Sequence, residues 1–178
     1  MKYFLSILVF CSCASAGIAN STLDDVTVAQ VDTMLPRVFL LGEFEIQMDK
    51  ISSEHSTQLL ESCNNDIDEA YTKWMSFIRE MEAYGDQIKF DLKGVKVWLN
   101  VFFEKNGKIN HIGYYLKPNS KNVKNEEFSA FLKSFMNHYT FPHNASKNYS
   151  HYGSAAFPVF TGSVISPAQD TQVTRKNE

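Results

Sequence analysis

Four groups of side chains in this sequence are of a type that does chemistry: Cys63, three clustered histidines, an acidic run and a set of aromatic residues. Cys63 with a histidine would make a nucleophile pair, the imidazole taking the thiol proton. Yet Cys63 recurs with Leu60 and Ile67 on an apolar stripe, which reads as a small buried hydrophobe. His138, His143 and His151 fall within fourteen residues, a spacing that can assemble a metal site. No H-x-H or H-x-x-x-H pair supports it, and His138 ends a helical stretch where imidazolium suits the helix dipole. Asp66, Asp68 and Glu69 offer oxygen ligands for calcium, but the glycine and distal glutamate of a calcium hand are missing. They read instead as the acidic first turn of a helix. There is no phosphate-cradling glycine loop, no G-x-S-x-G and no metalloprotease helix motif. The expectation is no catalytic set, no metal site and no cofactor.

What is left is recognition. Tyr139, Phe141, His143, Tyr149, His151 and Tyr152 gather amphipathic rings among polar loop residues, the composition of a binding surface. The equal alternative is that these rings close the open face of a sheet. The competing reading, an envelope hydrolase or a metal-binding protein, needs His143 or His151 to meet a carboxylate and a nucleophile. Asn20, Asn144 and Asn148 each begin an N-x-Ser/Thr sequon, whose use depends on the host.

The elements that must position these groups are legible to different degrees. Residues 95–116, VKVWLNVFFEKNGKINHIGYYL, flank Asn106-Gly107 with two apolar, β-branched and aromatic runs, a strong hairpin signature. A two-residue turn there sets Val97 opposite Leu116, Leu99 opposite Tyr114 and Val101 opposite Ile112. Trp98 with Tyr115 and Phe102 with His111 occupy the other face. Both faces are apolar, so the hairpin is central and covered twice.

Before it, Leu60, Cys63, Ile67, Tyr71, Trp74, Ile78 and Met81 recur at helical spacing over residues 54–84. Asn64-Asn65-Asp66 breaks that helix in two, with Asn65 as N-cap, and Gly85 ends it. Residues 35–42 read as a short extended piece after Pro36, ended by Gly42. After the hairpin, Asn125 caps a helix whose stripe is Phe128, Phe131, Leu132, Phe135 and Tyr139. Residues 140–153 read as loop, and residues 155–160 as a last strand that Pro158 places at an edge or bulge.

The chain opens with Lys2, an apolar run and the small residues CSCASAGIA, the form of a secretory leader over residues 1–19. Cleavage follows Ala16 or Ala19; lipidation at Cys13, making a lipoprotein, is the variant. Residues 20–37 read as a flexible lead-in, 38–160 as one domain and 161–178 as a disordered tail. Only Cys63 survives secretion unless Cys13 carries lipid, so the core and not disulfides holds the fold. No later run approaches the about 18 apolar residues of a membrane span. A net charge of −3, without segregation, argues against nucleic acid.

From Gly94 onward the chain resembles a TonB C-terminal domain. The motifs are Gly94 before a first strand, Asn106-Gly107-Lys108-Ile109 at the turn, the helix from Phe128 to Tyr139, Tyr139-Thr140-Phe141-Pro142, and Phe157-Pro158-Val159-Phe160. They cover residues 94–160 and are individually short. The membrane anchor and proline-rich spacer of TonB itself are missing, so energy transduction is not implied. The element order helix, helix, strand, strand, helix, strand reads as α+β, a small three-stranded antiparallel sheet with helices packed on one face. The leader sends it to the periplasm or cell surface, and the resemblance implies a free-standing periplasmic domain of that shape. The expected function is a non-catalytic binding module. It would take an envelope protein or peptide by edge-strand pairing, with pairing to a second copy as a homodimer the alternative.

Overall fold

The computed structural model describes residues 34–160, which belong to one compact unit. The expected leader with Cys13, most of the lead-in, the sequon at Asn20 and the tail 161–178 lie outside the described residues.

Among the described residues nine elements follow one another: β1 (Val38–Leu40), α1 (Glu45–Glu54), β2 (Thr57–Gln58), α2 (Leu59–Ser62), α3 (Ile67–Ile88), β3 (Lys96–Phe103), β4 (Ile109–Leu116), α4 (Asn125–His138) and β5 (Tyr149–Ala156). The strands form one sheet in the order β1-β4-β3-β5-β2. The α+β class holds, but the expected three-stranded antiparallel sheet does not. The sheet has five strands and is mixed, because β1 joins β4 in parallel and β2 joins β5 in parallel. Strands of three and two residues show no alternation in sequence, and their partners lie far along the chain.

Helices on one face only is also corrected. α3 and α4 bury Trp74, Phe77, Ile78, Met81, Phe128, Phe131, Leu132 and Phe135 against Val97, Leu99, Val101, Ile112 and Tyr114. On the opposite face α1 brings Ile51 and Met48 over Phe39 and Phe102. That cover reaches one end of the hairpin: Phe102 is 1% exposed, whereas Trp98 is 37% and Tyr115 48% exposed.

The hairpin register is the expected one from Val97↔Leu116 to Phe102↔His111, though its turn is not. Glu104 N–H bonds the Lys108 carbonyl and Gly107 N–H the Glu104 carbonyl, so Lys105, Asn106 and Gly107 form a three-residue loop. Gly107 takes φ +82° there, in the left-handed region that favours glycine. A bulge pairs Phe103 with Ile109 and leaves Asn110 extra, which restores the register beyond it.

α3 begins one residue later than expected, with Asp66 as N-cap accepting the Glu69 N–H at 2.9 Å. It runs past Gly85 to Ile88 and ends on Lys89 in the left-handed conformation. Gly85 is an interior glycine: a Cβ there would lie 2.9 Å from the Leu92 side chain. Of the expected stripe Cys63, Trp74, Ile78 and Met81 are buried, whereas Leu60, Ile67 and Tyr71 are exposed and Leu59, Ala70 and Phe77 are buried in addition. α4 follows the expected stripe, with Lys124 in the capping position in place of Asn125. β5 lies where residues 140–153 were expected to be loop, and it stops before the cis Phe157–Pro158 bond. Its residues, YSHYGSAA, include two tyrosines but no β-branched residue, and the rest are small or polar.

Candidate functional site

Five of the six expected recognition residues are drawn inward. Phe141 and Tyr149 are 1% and 0% exposed and belong to the main core. Tyr149 stacks on Phe103 at 5.0 Å, and its hydroxyl donates to the His143 carbonyl at 3.1 Å. Burial pushes that hydroxyl well above the usual tyrosine pKa. Tyr139 is half-buried, stacked on Phe135 at 5.0 Å, and burial takes its pKa to about 12. His151 lies on the same sheet face with its ring 4.3 Å from Trp74; burial holds it neutral, with a pKa lowered to about 4. Only Tyr152 faces outward, at 54% exposure.

The three clustered histidines are not brought together. His138 stacks on Tyr84 at 4.8 Å, His151 sits on Trp74, and His143 turns to Ser62, whose Oγ is 3.0 Å from Nε2. That turn brings His143 to Cys63 and Glu69. One donor atom from each of the three lies within 4.8 Å of the others. Cys63 closes α2 with its Sγ buried, Glu69 stands exposed in the first turn of α3, and His143 comes from the loop before β5. Asn64 and Asn65, with φ of 56° and 62°, make the tight turn that lets α3 start beside Cys63.

Burial, and then the Glu69 carboxylate, push the Cys63 thiol up. Burial, and then the Lys73 ammonium, push His143 down. Both groups are therefore neutral near pH 7, and no thiolate–imidazolium pair stands ready for attack. The sequence allows Cys63 to pair with a histidine and asks His143 or His151 to meet a carboxylate and a nucleophile, but it does not single out His143 for Cys63 or Glu69 as the carboxylate. Nothing in their spacing announces the meeting, which needs the packing of the loop after α4 against α2.

The second constellation is on the half-covered sheet face. Trp98 of β3, Tyr115 of β4 and Tyr152 of β5 stand side by side and exposed. Trp98 stacks on Tyr152 with ring centroids 5.5 Å apart and planes 5° off parallel, and Lys117 Nζ lies 4.2 Å over the indole. Beside them runs a strand edge. β2 pairs only with Tyr149 and Ser150 of β5. Phe157 N–H bonds the Val95 carbonyl, so in this antiparallel ladder the odd residues of β5 bond β3 and the even ones turn outward. Tyr152, Ser154 and Ala156 thus present backbone groups without a strand partner among the described residues.

Of the sequons, Asn148 already spends its Oδ1 on the Lys105 N–H at 3.1 Å. Comparisons with family models, with curated proteins and with solved structures find no match to this chain.

Proposed function

We propose that this chain is an exported, non-catalytic binding module that takes an extended peptide segment along the outer edge of β5. One observation carries the reading: beyond the short β2, the outward residues Tyr152, Ser154 and Ala156 of β5 are exposed and lie next to the Trp98 ring. A peptide strand added there gains main-chain hydrogen bonds, and the rings supply side-chain selectivity. The resemblance of residues 94–160 to TonB C-terminal domains and the leader-like residues 1–19 support an envelope setting.

The experiment is capture from envelope extract with the mature chain, against Trp98→Ala and Ser154→Pro variants. Proline at residue 154 removes an outward N–H without removing a bond to β3, so it blocks strand addition while leaving the ladder intact. A partner lost with both variants supports the reading. A partner that ignores both variants overturns it, and a dimer in sedimentation that Ser154→Pro dissolves would make the partner a second copy. Export is tested separately: the protein from its host should begin at Gly17 or Asn20, or be blocked by lipid at Cys13.

A further inference from the structure

Cys63, Glu69 and His143 come from three separate elements, yet their donor atoms all lie within 4.8 Å of one another. We propose that this trio binds a single divalent transition-metal ion, Zn²⁺ by preference, with a fourth position left to water.

Three atoms at that separation share a point within about 2.8 Å of each, against metal–ligand bonds of roughly 2.0–2.3 Å for zinc. Closing the difference asks each atom to move well under an ångström, within the reach of side-chain torsions alone. The donor set decides the ion. A thiolate and an imidazole disfavour calcium and magnesium, which want oxygen throughout, and suit zinc, with one carboxylate completing a three-ligand site.

The surroundings are arranged to hold it. Cys63 forms the floor at 1% exposure, and Glu69 opens the site to solvent, giving the ion a way in. Ser62 Oγ, 3.0 Å from Nε2, orients the His143 ring. The Tyr149 hydroxyl fixes the His143 main chain. Lys73, 3.5 Å from Glu69, is the group that must yield; a half-exposed pair of this kind is weak. On binding, the Cys63 thiol gives its proton to solvent and the sulfur takes a bond to the metal. This site is separate from the β5 edge and does not depend on what binds there.

The test uses the full chain stripped with a chelator and titrated with ZnCl₂ or CoCl₂. One equivalent of zinc should bind and raise Tm, and cobalt should show a thiolate charge-transfer band. Cys63→Ser should abolish that band, and Glu69→Gln should weaken zinc binding by at least about tenfold. Glu69 is solvent-facing, so its variant reports on the site even where Cys63→Ser fails to fold. Absence of saturable binding, or binding that Glu69→Gln leaves unchanged, overturns the proposal.

Discussion

His151 shows how a residue chosen for its chemistry can be employed for its shape. Its ring lies against Trp74 on the helix-covered face and is neutral at physiological pH, its pKa lowered to about 4 by burial. An unfolded histidine titrates near 6.5, so between about pH 6.5 and 4 the unfolded chain binds the extra proton. Stability contributed by His151 is thus complete above about pH 6.5 and is lost as pH falls toward 4. His151→Gln should flatten that acid limb in urea titrations run across the range. His111, lowered first by burial and then by neighbouring His55, adds to the same slope. Gly153 is the companion case: a Cβ there would sit 2.8 Å from the Trp74 ring. Gly153→Ala should cost about 1–3 kcal/mol in urea unfolding, since the rigid indole cannot yield as a flexible side chain would. Trp74 was legible as a core residue from its helical spacing. Its contact with His151 fits the alternative that the aromatic rings close a sheet face, whereas Gly153 was not legible, because a glycine in a polar stretch carries no sign of burial.

Among the elements, the hairpin was read most fully, and part of that success has a different cause from the one expected. A three-residue loop and a bulge at Asn110 together give the register that a two-residue turn would give. The alternation of Val97, Leu99 and Val101 against Ile112, Tyr114 and Leu116 selects that register whatever the turn does, because a slip by one would turn the core face to water. The two faces differ in how far they are covered, and α1 is the reason. It was not foreseen, since its sequence EIQMDKISSE buries only Ile51 and has almost no apolar stripe. Phe102→Ala, under α1, should cost about 3–5 kcal/mol. Tyr115→Ala, at the uncovered end, should stay within about 0.5 kcal/mol. Urea midpoints of the two variants check the difference; similar losses would mean the far end is covered as well. α3 illustrates a partial reading: its existence and the burial of Trp74, Ile78 and Met81 were plain, but Tyr71 and Ile67, apolar by type, face solvent.

For the whole molecule, class was legible and topology was not. Amphipathic stripes and one hairpin announce α+β, but β1 and β2 are too short to leave a pattern and pair with strands from the other half of the chain. The metal candidate was hidden for the same reason, as it depends on a loop near residue 143 closing over residues 62–69. The strand order has a consequence in time. β5 lies between β3 and β2 in the sheet, although among the described residues it is the last strand in chain order. Until residues 149–156 have left the ribosome, β2 has no neighbour and the face beneath Trp74 has no Gly153 or His151 to meet. Contacts this distant cannot form early in synthesis. Nascent chains stalled before Tyr149 should therefore be cut readily by protease, whereas the released chain resists. A sheet whose keystone comes after every other described element is completed only once all of them have been made, so its two halves wait on one strand to be joined.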